Sequence, residues 1–273
     1  MKTLLIATEQ GGAGKTAMLC QFAHYLHLVR RLRVLVIDAA EPPCSTASLV
    51  RGHRAVVLHG EKSITQSERG DVEAPGFWVL PTSTVPSLTL GLGDDGARYY
   101  ANVRHLLFIV AKLADVCLID SPPLPDLRAL CFESTADAML SPVQLNRESL
   151  DSLADLINGP HGVRQIRAKL NPALQFVGLL PNMVEATSLG RENARAIETQ
   201  FGPWLIADPG RPSGYLHIPR FVAVQMAQAE GVPVGEVVGR EPAARRAWQT
   251  MLACFEALTG YLRLNEIASD VEA

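Results

Sequence analysis

Short apolar runs alternate along the chain with longer segments in which apolar residues recur every three or four positions. The runs predict buried strands, and the longer segments predict amphipathic helices. This alternation indicates an α/β fold: a doubly wound, mostly parallel sheet with helices on both faces. The predicted strands cover residues 4–8, 33–38, 77–81, 116–120, 138–143, 175–180 and 204–206, and the predicted helices cover residues 16–28, 96–113, 149–156, 190–201, 219–230 and 242–258.

The organisation of the chain favours a single compact unit. Residues 40–75 are rich in Pro, Ser, Gly and charged side chains, so they predict only short elements and loops. No linker, internal repeat or low-complexity tract stands out in the sequence of 273 residues. We therefore expect one domain over residues 1–262, followed by an acidic tail over residues 263–273.

The composition excludes several classes of protein. With 48% hydrophobic and 19% charged residues, the chain is neither disordered nor collagen-like, and no apolar run approaches the ~18 residues of a membrane span. Residues 265–273 contain no Lys or Arg, which an amphipathic membrane anchor needs, so we expect no membrane partner. Because the net charge is −3, any nucleic-acid binding must depend on a local basic patch.

The cysteines give no sign of a metal site or a disulfide framework. They are five in number, and none is spaced as a metal ligand would be. We interpret all of them as buried thiols of a protein in the reducing cytosol, and we expect a cytoplasmic location. They are Cys20, Cys44, Cys117, Cys131 and Cys254.

A glycine-rich loop lies between the first predicted strand and the first predicted helix. Its glycines let backbone N–H groups turn inward as a cradle for phosphate, and the helix N-terminus adds positive potential. Lys15 can reach the β- and γ-phosphates, and Thr16 offers a hydroxyl to Mg²⁺. The alternative is a glycine turn that merely starts a helix. The predicted contacts of ATP or ADP are Gly11, Gly12, Ala13, Gly14, Lys15, Thr16 and Ala17.

Two aspartates are candidates for the metal and the chemistry. Asp38 and Asp120 each end an apolar strand downstream of the glycine loop, and ligands of doubly wound sheets collect at the carboxyl ends of strands. We therefore predict that Thr16, Asp38 and Asp120 bind Mg²⁺ and that Lys15 joins both acids as a catalytic group. The alternative role of each aspartate is to cap a helix N-terminus.

Residues 11–16 (GGAGKT) and 115–123 (DVCLIDSPP) resemble the deviant Walker A and Walker B segments of the ParA/MinD ATPases. The resemblance implies the P-loop NTPase fold and binding of ATP or ADP with Mg²⁺. Two positions depart from the family pattern. Gln10 stands where the family has a lysine that crosses the dimer interface, and Ala40 stands where a second acid orients the attacking water. The resemblance therefore implies at most a weak ATPase, with Glu41 as a carboxylate close to the missing acid.

Two later segments extend the resemblance. Residues 177–182 (VGLLPN) are similar to a family strand whose final Asn contacts adenine, which assigns that contact to Asn182; an Asn at this place is otherwise a turn residue. Residues 218–219 (IP) and 229–234 resemble the C-terminal family segment, and this adds Pro219 to the predicted nucleotide contacts.

The resemblance is strongest to small ParA proteins, and it implies a role in partition of a plasmid, integrating element or chromosome. Such proteins form homodimers with ATP, act with a centromere-binding partner protein and bind DNA nonspecifically. Candidate DNA contacts are Arg191, Arg195, Arg220, Arg245 and Arg246. A solvated helix face, or ion pairs with Glu192, Glu198 and Glu241, would explain these arginines as well.

Two other functions remain open from the sequence. One is a nucleotide-binding regulator or scaffold that has lost turnover, which the residues at positions 10 and 40 favour. The other is a small-molecule enzyme of related fold, in which the same loop delivers phosphate to a metabolite. Fold alone does not choose among the three.

Overall fold

The computed structural model describes residues 1–68, 76–89, 96–211 and 213–265. Eight strands in these ranges form one sheet in the order β3-β4-β2-β5-β1-β6-β7-β8, and every pairing is parallel. The strands are β1 (Lys2–Ile6), β2 (Val34–Asp38), β3 (Val56–Val57), β4 (Phe77–Pro81), β5 (Val116–Asp120), β6 (Ala138–Val143), β7 (Gln175–Val184) and β8 (Ile218–Pro219). The chain builds the sheet to one side of β1 as far as β5 and then to the other side. The doubly wound prediction is confirmed.

Helices cover both faces of the sheet, each set with its own apolar layer. One face carries α1 (Lys15–Leu28), α2 (Cys44–Arg51), α9 (Val222–Glu230) and α10 (Ala244–Tyr261). The other carries α3 (Gly60–Glu68), α4 (Gly96–Val110), α5 (Leu127–Glu133), α6 (Glu148–Asn158), α7 (Val163–Lys169) and α8 (Ser188–Phe201). No helix in the described part of the chain is both long and apolar enough to cross a membrane.

The central strands explain the apolar runs of the sequence. In β2, Val34 and Val36 pack into one apolar layer, whereas Leu35 and Ile37 pack into the other. All five residues of β2 are buried, as are all five of β5. A strand covered on both faces needs apolar residues at every position, so its sequence shows a continuous run instead of alternation.

The structure corrects three predictions. Residues 204–206 are not a strand, because Gly202–Trp204 forms a 3₁₀ turn around Pro203 and only Leu205 bridges β7. The helix expected from residue 219 begins at Val222, since residues 218–219 pair with β7 as β8. Cys44 is exposed at the start of α2, while the other four cysteines are buried.

Other predictions were incomplete or are untested. The sequence does not predict helices α5 and α7. Residues 40–75, where the sequence pattern is weak, contain α2, β3 and α3. Residues 69–75 lie outside the described ranges. Most of the expected acidic tail, residues 266–273, also lies outside them. The division into a domain and a tail therefore stays a prediction.

One buried carboxyl group in the core has a direct effect on stability. Glu133, the last residue of α5, is fully buried, and neither carboxylate oxygen has a hydrogen-bond partner among the described residues. Burial raises the pKa of Glu133 to about 8, and the nearby carboxylate of Glu9 adds to the shift. The folded chain therefore holds a proton on Glu133 at pH values where the unfolded chain has lost it.

Replacing Glu133 should change how stability depends on pH. A carboxyl whose pKa is raised by folding stabilises the native state most at low pH, and this contribution is lost as the pH rises toward the folded pKa of about 8. We expect Glu133→Gln to remove up to about 1.4 kcal/mol per pH unit from the decline in unfolding free energy between about pH 5 and 7.5. Urea titrations across this range measure the effect, with the exposed Glu192→Gln as control. Parallel pH profiles for wild type and Glu133→Gln would contradict the prediction.

Candidate functional site

The carboxyl ends of three neighbouring strands meet at the glycine loop. The register of β1, β5 and β2 sets Ile6 beside Asp120 and Asp120 beside Asp38. The loop of residues 10–14, here called the glycine loop, leaves β1 at this level and leads into α1. Because the sheet changes winding direction at β1, the loop opens at the place where α/β sheets bind their ligands.

The backbone of the glycine loop adopts a conformation that favours glycine. Gly12 and Gly14 have φ values of 80° and 78°, in the left-handed region. Gly14 also lies against β7, since a Cβ atom at this position would approach Nδ2 of Asn182 to 2.5 Å. The loop therefore needs glycine for its torsion angles and for close packing, and it is more than a simple turn before a helix.

Lys15 lies folded over the glycine loop at the start of α1. Its side chain is largely buried, and Nζ lies 3.5 Å from the backbone oxygen of Gln10. Burial lowers the pKa of Lys15, while the negative charge of Asp120 opposes the shift. A desolvated ammonium group whose one acceptor among the described residues is a weak backbone contact is well placed to gain from an incoming anion.

Thr16 and Asp120 form the polar contact that the metal prediction requires. The Thr16 hydroxyl donates to Asp120 Oδ2 over 2.8 Å, and Oδ1 is buried with no partner in the part of the chain that the structure describes. Burial, with the charge of Asp38 as a smaller contribution, raises the pKa of Asp120 to about 7. A buried, unpartnered carboxylate oxygen beside a hydroxyl fits a hard cation such as Mg²⁺.

Asp38 makes more hydrogen bonds than Asp120. Its Oδ2 accepts from the backbone N–H and the hydroxyl of Thr46, both at 2.8 Å, and Oδ1 accepts from the N–H of Ala40 at 3.2 Å. Asp38 thus satisfies a free N–H in the first turn of α2, so the capping alternative applies to it in part. Burial raises its pKa. Its position beside Asp120 agrees with the metal prediction, which stays untested.

A cavity of about 500 Å³ opens beside the glycine loop. Asn182 is a buried residue within β7, and its Nδ2 donates to the backbone oxygen of Ala13 over 2.9 Å. One of its amide hydrogens therefore supports the loop, and Asn182 is not a turn residue. The predicted nucleotide contacts among the lining residues are Gly14, Ala17, Asn182 and Pro219.

Gln10 and Glu41, the residue after Ala40, each have a side-chain partner within the chain. The amide oxygen of Gln10 accepts from the hydroxyl of Ser149 in the first turn of α6, over 3.0 Å. Glu41 is 81% exposed and pairs with Arg128 on α5 over 3.1 Å. Its carboxylate is therefore engaged on the surface, and whether it replaces the missing acid at Ala40 is untested.

The predicted DNA contacts lie on different layers of the molecule. Arg191 and Arg195 are exposed on α8, and Arg245 and Arg246 are exposed on α10, which covers the opposite face of the sheet. In the sequence, Arg220 lies between these two pairs and directly follows the edge strand β8. The expected pairs with Glu192, Glu198 and Glu241 do not occur among the described residues, where the ion pair of this set joins Arg220 to Glu185 over 2.6 Å.

Sequence reasoning missed three residues that shape the site. Gln144 donates to the backbone oxygen of Gly12, Ser149 bonds to Gln10, and Thr46 bonds to Asp38. The first two contacts join residues 132 and 139 positions apart, so no local pattern could show them. The contact of Thr46 does have a local signal, because the short helix α2 starts a few residues after Asp38.

Comparisons with known proteins show which sequences this chain is similar to. Residues 4–234 match the family described as the CobQ/CobB/MinD/ParA nucleotide binding domain. The chain is 32% identical to Protein IncC of Escherichia coli over 263 residues, which are 90% of this chain and 66% of IncC, so it spans about two thirds of that relative. It is 28% identical to the chromosome partitioning protein ParA of Caulobacter vibrioides over 244 residues, 86% of each chain.

Solved structures share the fold. An ATP complex of Cyanothece McdA superposes with a TM-score of 0.67 at 18% identity, covering 96% of each chain. Cobyrinic acid a,c-diamide synthase from Mycobacterium smegmatis, with bound ADP and magnesium, superposes with a TM-score of 0.58 at 20% identity, covering 84% of this chain and 91% of that one. At these identities the likeness concerns the fold alone.

Proposed function

The chain belongs to the CobQ/CobB/MinD/ParA nucleotide-binding family, and from this premise we propose that it is a ParA-like partition protein. The observation that carries the proposal is the match to a chromosome partitioning ParA over 86% of both chains. Membership of the family does not by itself establish a role in partition, because cobyrinic acid a,c-diamide synthase shares the fold. In our proposal the protein serves the segregation of a plasmid, an integrating element or a chromosome.

We propose ATP or ADP with Mg²⁺ as the ligand of the glycine loop. The backbone N–H groups of the loop and the Lys15 ammonium would bind the phosphates, and the 500 Å³ cavity would hold the base. Thr16 and Asp120 would bind Mg²⁺, with Asp38 close by. When bound, Mg²⁺ neutralises charge on the phosphate oxygens. The charges of the site support this assignment, since the Lys15 ammonium lies against the loop and Asp120 Oδ1 is buried without a partner among the residues that the structure describes.

Lys15 should control the affinity for nucleotide. Within the described ranges its ammonium has a single, weak backbone acceptor, so a phosphate would be a much stronger partner. We expect Lys15→Ala to weaken Mg-ADP binding by roughly a hundredfold in calorimetry. The exposed Lys112→Ala is the control and should bind as wild type does. Equal affinity in wild type and Lys15→Ala would remove the glycine loop as the binding site.

We propose slow ATP hydrolysis and a weak ATP-dependent homodimer. Gln10 carries no charge to stabilise phosphate across an interface, and Ala40 cannot orient water. The bond of Gln10 to Ser149 supports this proposal, because it engages the side chain within its own subunit. ATP bound near a two-fold interface would still favour the dimer over the monomer.

Restoring the two family residues should increase ATP hydrolysis and ATP-dependent dimerisation. We expect Gln10→Lys combined with Ala40→Asp to raise phosphate release and the ATP-dependent dimer fraction above wild type, measured by a phosphate assay and by sedimentation with ATP against ADP. Lys15→Ala, which should bind nucleotide much more weakly than wild type, is the control. Wild-type turnover at or above the level of the double variant would show that other residues supply both functions. A mass that ignores the nucleotide would favour the regulator or the small-molecule enzyme.

We propose that the protein binds DNA nonspecifically, acts with a centromere-binding partner protein and associates with the nucleoid in the cytoplasm. Exposed arginines lie on α8, just after the edge strand β8 and on α10, so phosphates would be contacted from both layers. Measuring ATP hydrolysis with and without DNA tests this function most directly. Stimulation by DNA supports partition, and indifference to DNA favours the regulator that has lost turnover.

The arginines of α10 should contribute to the salt dependence of DNA binding. If the surface makes about five phosphate contacts, log K should fall with log salt at a slope of about −4 to −5. We expect Arg245→Ala with Arg246→Ala to flatten this slope by up to about two and to lower affinity equally on all sequences. The control is Arg98→Ala with Arg104→Ala, exposed on α4 outside the proposed surface. No salt-sensitive mobility shift with ATP, or wild-type binding by the α10 variant, would refute this surface.

A further inference from the structure

Two side-chain amides hold the glycine loop from outside. Gln144, just after β6, donates from Nε2 to the backbone oxygen of Gly12 over 2.9 Å. Asn182 in β7 donates from Nδ2 to the backbone oxygen of Ala13, also over 2.9 Å. Two successive carbonyl groups of the loop are therefore fixed by donors from two neighbouring strands.

Fixing these carbonyl groups also fixes the N–H groups that follow them. In a trans peptide the C=O and N–H bonds point in opposite directions within one plane. The bond to Gly12 O therefore turns the N–H of Ala13 away from Gln144, and the bond to Ala13 O turns the N–H of Gly14 away from Asn182. Successive N–H groups directed to one concave side are what an anion-binding loop needs.

The Gln144 side chain is itself held in place. Its amide oxygen accepts from Nδ2 of Asn146 over 3.3 Å. The Oδ1 atom of Asn146 accepts from the backbone N–H of Ser149 over 2.9 Å, in the first turn of α6. Ser149 is buried and also bonds to Gln10. The amide that reaches Gly12 is thus anchored to a helix, and the same network returns to the first residue of the glycine loop.

We propose that Gln144 is a positioning residue for phosphate binding. By holding the Gly12 carbonyl outward, it keeps the N–H of Ala13 directed at the phosphate site before any ligand binds. The loop then loses less conformational entropy on binding, which raises affinity. This role rests on the proposed nucleotide-binding function and extends it to a residue outside the glycine loop and its flanking lysine and threonine.

The chain provides a matched control for the test. Gln175 is the first residue of β7, whereas Asn182 lies near the other end of this strand. Like Gln144, Gln175 is half-buried, and its Nε2 donates to a backbone oxygen, that of Tyr261, over 2.9 Å. Gln144→Met and Gln175→Met each remove one such bond at similar side-chain volume, and Gln144→Met also removes the acceptor of Asn146 Nδ2. We expect Gln144→Met to raise the dissociation constant for Mg-ADP about tenfold, and Gln175→Met to leave it unchanged.

A second variant and a second readout make the test specific. Gln144→Glu keeps the shape of the side chain but replaces the donor by a carboxylate that repels Gly12 O, so it should weaken Mg-ADP binding more than Gln144→Met. Without nucleotide, ¹⁵N amide spectra of Gln144→Met should show shifts at Ala13 and Gly14, with the thermal midpoint matching that of Gln175→Met.

The outcomes separate this role from the proposed function. Wild-type affinity in both Gln144 variants overturns the positioning role and leaves nucleotide binding intact. Equal weakening by Gln144→Met and Gln175→Met, with lowered thermal midpoints, shows general loosening of the fold and overturns it too. A wild-type protein that does not bind Mg-ADP overturns the proposed function, and the positioning role with it.

Discussion

Three neighbouring parallel strands end at the same level of the sheet, and the site depends on this constraint. The register of β1, β5 and β2 sets Ile6, Asp120 and Asp38 side by side. Because these strands are covered by helices on both faces, their polar residues can leave the apolar layers only at the end of the strands. The same register fixes where the glycine loop begins. The loop, the lysine that follows it and both carboxylates are therefore held together by the sheet.

The charges collected there are costly without a ligand. Burial takes the charged forms of Lys15, Asp38 and Asp120 out of water. It therefore lowers the pKa of Lys15 and raises the pKa values of both aspartates. Phosphate would partner the ammonium, and a divalent cation would partner the carboxylates, which is how burial of such groups is usually compensated. These charges are complementary to those of a metal-bound nucleotide, the ligand that we propose for the site.

The glycine loop is held by side chains of its own subunit. Gln10, Gly12 and Ala13 are each tied to side chains of the same subunit: Ser149, Gln144 and Asn182. The phosphate site that we propose would therefore be organised within one chain, without the cross-interface lysine of the family pattern. In the function that we propose, binding and turnover are separable, because a preformed loop would support affinity while hydrolysis needs charge and oriented water that Gln10 and Ala40 do not supply.

The sequence by itself determined the parallel sheet, the glycine loop and the acids at the strand ends. Strands 77–81, 116–120 and 138–143 were predicted to the residue, because continuous apolar runs and their polar ends are local signals. Helices α5 and α7, of seven residues each, are too short for a clear periodicity, and Gly202–Trp204 turns where apolar residues predicted a strand. The tertiary structure alone decided which side chains hold the loop and which sheet face carries each arginine. Hydrogen bonds between residues more than 130 positions apart, such as that of Gln144 to Gly12, depend on the order in which strands assemble, and a linear pattern does not contain that order.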